Sequence, residues 1–355
     1  MTFQISDLAA FGWNAFFTSQ LEPDDFEHAV PVRVMAVHRG AIHIAGPGGE
    51  TSIPPYRSVP DDDQTSATVG DWLLLAPDTL RPYRLLDRKC LFKRRAAGTG
   101  RKVQLIAANI DTLFIVTSCN QDFNIARLER YLALAHDAQV TPVVVLTKAD
   151  LSEHPQDFAK QIYALQPTLM VETLNALDPQ NVERLAPWCS SGQTVALVGS
   201  SGVGKSTLIN TLMGDVRAAT QDIREDDAKG RHTTTGRALH QLPSGGWLID
   251  TPGMRELQLT DVQSGLDEVF ADIVALAQSC RFSTCRHDTE PGCAVQAEIA
   301  TGELDAGRLK RWRKLVAEEA YNTETIAERR SRNRAFGKMV RRVMKDKKHF
   351  NGNGH

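Results

Sequence analysis

The chain has 355 residues, 42% hydrophobic and 24% charged, which is the composition of a soluble globular protein with room for two or three domains, and its six cysteines do not make a disulfide framework. The net charge of −2 hides an asymmetry: Arg329 to Lys348 hold ten Lys or Arg against the single acid Asp346, leaving 31 basic against 42 acidic residues elsewhere. A mildly acidic body with a basic tail points to a polyanionic partner.

The N-terminus lacks the charged and apolar segments of a signal peptide, and no apolar run approaches bilayer length. A cytoplasmic location with no membrane partner is therefore expected. Residues 1–28 include Phe11-Gly12-Trp13-Asn14-Ala15-Phe16-Phe17, too aromatic for a free tail, and are read as an arm packed on the body. Residues 29–98 read as short strands and turns, with Val32–Val37 and Ala41–Ile44 flanking Arg39-Gly40 as a hairpin and Val69–Leu75 as a turn into another strand. This pattern predicts a small OB-like β-barrel, a fold that often binds oligonucleotides but can equally serve packing or protein contact.

From 99 to 265 the rhythm becomes strand–helix–strand, with apolar strands at Thr112–Thr117, Pro142–Leu146, Leu169–Val171, Val195–Val198, Arg237–Leu242 and Trp247–Ile249. Helices are predicted over Arg127–Ala138, Phe158–Leu165 and Val182–Trp188, so the fold class is multidomain α/β with a parallel sheet covered on both faces. Residues 266–355 read as a helical domain around a Cys/His cluster, closed by the basic tail.

Gly199-Ser200-Ser201-Gly202-Val203-Gly204-Lys205-Ser206-Thr207 matches the phosphate loop G-x-x-x-x-G-K-S/T at every fixed position, between an apolar strand and residues 208–213 at helical spacing. The glycines allow tight turns that aim successive N–H groups at phosphate oxygens, Lys205 brings a full charge, and the Ser206 hydroxyl can ligate Mg²⁺. Strand 143–146 ends in Thr147-Lys148-Ala149-Asp150, the form that reads guanine. The carboxylate of Asp150 can accept N1–H and the 2-amino group of guanine, whereas adenine offers neither donor there. Strand 247–249 ends in Asp250-Thr251-Pro252-Gly253, in which Asp250 can hold Mg²⁺ through water and the Gly253 N–H can meet the γ-phosphate. The polar stretch from Gln221 through His232-Thr233-Thr234-Thr235 suits a switch loop, with one threonine reaching Mg²⁺.

The guanine-reading segment precedes the phosphate loop, the reverse of the usual GTPase order. A circular permutation, with new ends after Gly253 and before Asp111, restores the same sheet and attaches flanking domains to the segment that responds to γ-phosphate. Met254 stands where many GTPases carry a water-orienting glutamine, so slow hydrolysis accelerated by a partner is expected, with His232 a candidate for positioning water against a surface or capping role.

Cys280, Cys285, His287 and Cys293 place three thiols and one imidazole within fourteen residues, a ligand set for one structural Zn²⁺ with no open catalytic position, against free thiols beside an incidental His or an Fe–S cluster, for which four thiolates are usual. Cys90, Cys119 and Cys189 are isolated and read as buried thiols. In the tail, Phe336, Met339, Val340, Val343 and Met344 form one apolar helical face beside Lys338, Arg341, Arg342 and Lys345. RNA binding, membrane-surface binding and docking on the chain itself are the readings of that helix.

The combination resembles the ribosome small-subunit-dependent GTPase family RsgA, also called YjeQ, over nearly the whole chain. Strings that carry the resemblance include Gln104-x5-Ile110-Asp111, Thr147-Lys148-Ala149-Asp150-Leu151, Gly202-Val203-Gly204-Lys205-Ser206, His232-Thr233-Thr234-Thr235 and Glu290-Pro291-Gly292-Cys293. The resemblance implies subunit-stimulated hydrolysis of GTP to GDP with Mg²⁺, and binding to the small ribosomal subunit and its 16S rRNA late in maturation. It also implies help in releasing another 30S assembly factor, and a cytoplasmic monomer with one structural zinc. Glu172-Thr173-Leu174 departs from the Ser-rich stretch of many members at the fifth GTPase motif. Two other classes stay open: an RNA-binding assembly scaffold with GTP as a structural ligand, and a phosphate-loop enzyme acting on a small molecule.

Overall fold

The computed structural model describes residues 4–38, 40–59, 62–95, 103–214, 237–250, 257 and 259–323. Three short helices open the chain, α1 (Ile5–Ala9), α2 (Ala15–Thr18) and α3 (Pro23–His28). The Asn14 side chain caps α2 by accepting the Phe16 N–H, and Pro23 starts α3. Helices this short do not hold in water alone; burial of Leu8, Trp13 and Phe17 against Trp72, Leu74 and Leu86 fixes them. Trp13 meets Trp72 edge-on at 4.8 Å between ring centroids.

The strands that follow are β1 (Val30–Val37), β2 (Ile42–Gly46), β3 (Gly49–Ile53), β4 (Trp72–Leu75) and β5 (Pro82–Leu85). They pair antiparallel in the order β3-β2-β1-β4-β5 around Val32, Val34, Ile42, Ile44, Leu73 and Leu75. A closed barrel would need β3 to pair with β5, and that ladder is not among the described pairings. Pro82 opens β5 and Pro54-Pro55 follow β3, removing donors at the two edges that would have to meet.

Next come β6 (Leu91–Arg95) and β7 (Val103–Ala108), a separate antiparallel pair. It docks where Gly70, at φ +90°, approaches so closely that a Cβ would lie 2.1 Å from the Ala108 carbonyl oxygen. Asp71, fully buried beside it, accepts from the Arg88 guanidinium at 2.8 Å on both oxygens and from the Thr68 N–H at 2.7 Å. Gly70→Ala adds both backbone strain and overlap, so a loss of about 3 kcal/mol in unfolding free energy is expected from denaturant titration.

The central layer contains β8 (Thr112–Ser118), α4 (Ile125–Asp137), β9 (Thr141–Thr147), α5 (Pro155–Leu165), β10 (Met170–Thr173), α6 (Pro179–Val182), β11 (Thr194–Val198), α7 (Lys205–Met213), β12 (Arg237–Gln241) and β13 (Trp247–Asp250). The order β10-β9-β8-β11-β13 is parallel throughout, and β12 runs antiparallel beyond β13. Strand residues are buried on both faces: Leu113, Ile115 and Val144 pack with Leu128 and Leu132 of α4, while Phe114, Val116 and Val143 pack with Leu208 and Ile209 of α7. The stretch expected as one helix over 182–188 is the end of α6 followed by a 3-10 helix, Glu183–Trp188, because Pro187 cannot donate an α-helical bond. At its far edge β12 pairs with β1, Ala238 against Ala36 and Arg237 against Val37, so the N-terminal strands continue the same sheet.

Four helices follow, α8 (Gln263–Val269), α9 (Ala271–Gln278), α10 (Ala294–Thr301) and α11 (Ala306–Thr323). Gly265 lets α8 press on α4, since a Cβ there would lie 2.0 Å from the Ala133 carbonyl oxygen. Glu129 of α4, fully buried, accepts from Arg308 at 3.2 Å and Arg311 at 2.8 Å of α11, and Arg130 pairs with Glu318. Burial pushes the Glu129 carboxyl up while the two guanidinium groups pull it back. Among the described residues no helix is long and apolar enough to cross a membrane. The basic tail lies outside the described residues.

Candidate nucleotide and metal sites

In the parallel sheet the chain runs outward through β8, β9 and β10, then returns to place β11 beside β8. Ligand sites of open α/β sheets form at the carboxyl ends of strands at such a reversal. Gly199 follows β11 at φ +146°, where a Cβ would lie 2.2 Å from the Val116 carbonyl oxygen, so only glycine lets the loop leave this close to β8. Gly202 and Gly204 are left-handed, at φ +82° and +93°, and Gly204 is the N-cap of α7. Lys205, 6% exposed, donates to the Gly199 carbonyl at 2.8 Å and to that of Ser200. Ser206 and Thr207 occupy the first turn of α7, where unpaired helix N–H groups and the helix dipole favour an anion.

Thr147 ends β9 fully buried, its hydroxyl 2.5 Å from the Val203 carbonyl and 3.1 Å from that of Thr117. It touches the loop a second time at Gly204, where a Cβ would lie 3.3 Å from its Oγ1. Lys148 is left-handed at φ +55°, the Ala149 N–H points to the Leu174 carbonyl at 3.4 Å, and Asp150 is exposed. From α7, the Thr211 hydroxyl donates to the Ala176 carbonyl at 2.7 Å. Residues 147–150, the phosphate loop and residues 173–176 therefore form one hydrogen-bonded corner. Asp250 ends β13 beside it, its backbone opposite Ala238. His232, Thr233, Thr234, Thr235, Gly253 and Met254 lie outside the described residues.

Sequence reasoning did not single out Arg127, in the first turn of α4, whose guanidinium donates to the Ser200 hydroxyl. An exposed Arg near the start of a helix reads as solvated, and only the fold brings it across 73 positions to the loop.

Cys280, Cys285, His287 and Cys293 do converge: their ligand atoms all lie within 4.8 Å of one another. Cys280 and Cys293 place their sulfurs 3.9 Å apart, each 3.5 Å from His287 Nδ1. Tetrahedral zinc with bonds of about 2.3 Å to sulfur needs edges of about 3.8 Å, so the donors fit it. Backbone N–H groups of His287 and Gln296 reach the sulfurs of Cys285 and Cys293 at 3.4 Å, and the Gln296 amide donates to the His287 carbonyl at 2.5 Å. Glu290 accepts from the N–H groups of Arg286 and Asp288, which holds its carboxyl down to about 2 and keeps the ligand loop closed at neutral pH. Cys90, Cys119 and Cys189 are buried apart from this cluster, and burial pushes their thiols up to about 11, 11 and 12.

A family model described as RsgA GTPase matches residues 85–260. The chain is 51% identical over 341 residues to a Vibrio parahaemolyticus protein named small ribosomal subunit biogenesis GTPase RsgA 2, covering 96% of this chain and 94% of that one. It is 53% identical over 321 residues to a Mesorhizobium japonicum protein named small ribosomal subunit biogenesis GTPase RsgA, covering 89% and 91%. Among solved structures it resembles YjeQ from Thermotoga maritima, at TM-score 0.59 and 22% identity, over 82% of this chain and 98% of that one. It also resembles YloQ, described as a circularly permuted GTPase, at TM-score 0.56 and 21% identity, over 86% and 100%.

Proposed function

Because the chain belongs to the RsgA GTPase family and therefore hydrolyses GTP on a circularly permuted fold, we propose that it is a GTP-driven switch that binds the small ribosomal subunit late in its maturation. The observation that carries this reading is the corner in which Thr147 ties the guanine-reading segment to the phosphate loop. There Asp150 accepts N1–H and the 2-amino group of guanine, and the Lys148 stem lies along the base. Residues 199–204 give their N–H groups to the phosphates and Lys205 neutralises them. Ser206 would hold Mg²⁺ directly and Asp250 would hold it through water, with Gly253 on the γ-phosphate. Bound Mg²⁺ supplies charge stabilisation to the phosphoryl oxygens. His232 is the proposed water-positioning residue.

The chain is proposed as an arm at 1–28, an OB-like module at 29–98, the permuted GTPase at 99–265 and a helical domain at 266–355 whose Cys280, Cys285, His287 and Cys293 hold one structural zinc. The OB-like module, the helical domain and the basic tail supply surfaces for 16S rRNA, and release of another 30S assembly factor would follow hydrolysis. A cytoplasmic monomer suits this role. Because β12 and β13 flank both proposed switch segments and β12 pairs with β1, a change on hydrolysis has a direct path into the N-terminal strands.

Hydrolysis measured at fixed protein with purified small or large ribosomal subunits tests the proposal. A low basal rate rising at least about tenfold with small subunits alone is expected. An unchanged rate with tight subunit binding would favour the scaffold reading, and absence of binding would overturn both.

A further inference from the structure

Ser200 is the second residue of the phosphate loop, a position where the motif demands no hydroxyl. Its two polar groups nevertheless meet two cations: the carbonyl accepts from Lys205 and the hydroxyl accepts from Arg127. The backbone that carries Arg127 is fixed, because the Asn124 side chain accepts the Arg127 N–H at 3.0 Å as the cap of α4. No carboxylate lies within ion-pair distance of its guanidinium among the described residues, so its charge stays on the rim of the loop. Two and three residues further along α4, Glu129 and Arg130 grip Arg308, Arg311 and Glu318 of α11. One helix thus carries the hold on the phosphate loop at its first turn and the hold on the Cys/His-bearing domain in its second.

We propose that Arg127 is a positioning residue for GTP: it braces the phosphate loop through the Ser200 hydroxyl and couples that loop, through α4, to the C-terminal domain. The brace sets the peptide on which the Lys205 ammonium rests. It also brings a second positive charge to the rim that a triphosphate must pass. Coupling through a rigid element is reciprocal, so filling the nucleotide site tightens the α4–α11 contact and loosening that contact weakens nucleotide binding. The inference concerns basal GTP use and does not depend on what the ribosome does to the rate.

The test compares the full-length chain with Arg127→Ala, Arg127→Lys, Ser200→Ala and the Ala/Ala double variant, all without ribosomes. A charge-assisted hydrogen bond predicts a rise of about tenfold in KM for GTP for either alanine variant, with kcat changed less, and partial recovery in the lysine variant. If the brace runs through Ser200, the double variant is no worse than the single ones. In the parent, GDP slows backbone hydrogen exchange in residues 306–323, and in Arg127→Ala it does not. A KM within twofold of the parent for Arg127→Ala, or additive losses in the double variant, overturns the brace. Should Arg127→Ala fail to fold, Ser200→Ala removes the same bond by deleting one hydroxyl at a half-buried position and decides alone. Loss of subunit stimulation with these basal effects intact would count against the proposed function and leave this inference standing.

Discussion

Asp150→Asn is expected to change the nucleotide this chain uses, raising KM for GTP by about a thousandfold while making xanthosine triphosphate a substrate. Guanine presents two donors, N1–H and the 2-amino group, to one carboxylate that accepts both. An asparagine replaces one acceptor with an NH₂ donor, which meets the 2-amino group donor to donor and leaves both unpaired in a partly desolvated corner. Xanthine carries a carbonyl at position 2, so the same amide pairs with it. The surrounding structure should survive the change, because Asp150 is exposed and the corner is held by Thr147, Ala149 and Thr211 instead. Steady-state kinetics with both nucleotides reads the result. A variant that keeps its GTP KM within a few-fold and ignores xanthosine triphosphate would show that Asp150 does not read the base.

What the sequence made legible follows from how local each feature is. The phosphate loop and the four metal-type ligands are contiguous strings whose residue types carry their chemistry, and the fold draws each string into the expected cluster. The permuted order was readable because Thr147-Lys148-Ala149-Asp150 and Gly199–Thr207 each end an apolar strand, and parallel strands bring such ends together whatever their order. The joints between modules were not readable. Arg33 is the one charged residue of an otherwise apolar strand, yet it is 1% exposed, with its guanidinium donating to the Phe11 carbonyl and to Thr194 Oγ1 at 2.7 Å. Burial brings it down to about 10, still charged at neutral pH, and its partners come from 22 and 161 positions away. Arg127 and Glu129 were silent for the same reason. The OB-like barrel was read from strand count alone, and strand count says nothing about whether β3 and β5 meet when prolines stand at both edges.

Removing the zinc proposed for Cys280, Cys285, His287 and Cys293 should have the other large effect, because where ligands are the main hold on a loop, metal binding and folding are one event. Residues 280–293 contain no helix or strand, and little apolar surface holds them apart from the ligands themselves. Cys293 is also the N-cap of α10, and the His287 ring lies 5.7 Å from that of Trp312 in α11, so the ligands are tied into both neighbouring helices. Structural zinc sites contribute an apparent 10–16 kcal/mol, roughly the stability of a whole domain. A strong chelator, or Cys285→Ala, is therefore expected to unfold the 280–301 segment and shift the Trp312 near-ultraviolet signal. Elemental analysis should find one zinc per parent chain and none in the variant. Because thiols and imidazole must be deprotonated to bind, acidification should release the metal and alkaline pH should retain it. GTP binding should weaken only several-fold, since among the described residues the corner around Thr147 draws no bond from this segment, and the residual loss is what the α4–α11 contact transmits. A chain whose tryptophan signal and thermal midpoint ignore the chelator would show that the cluster is three free thiols beside an incidental histidine.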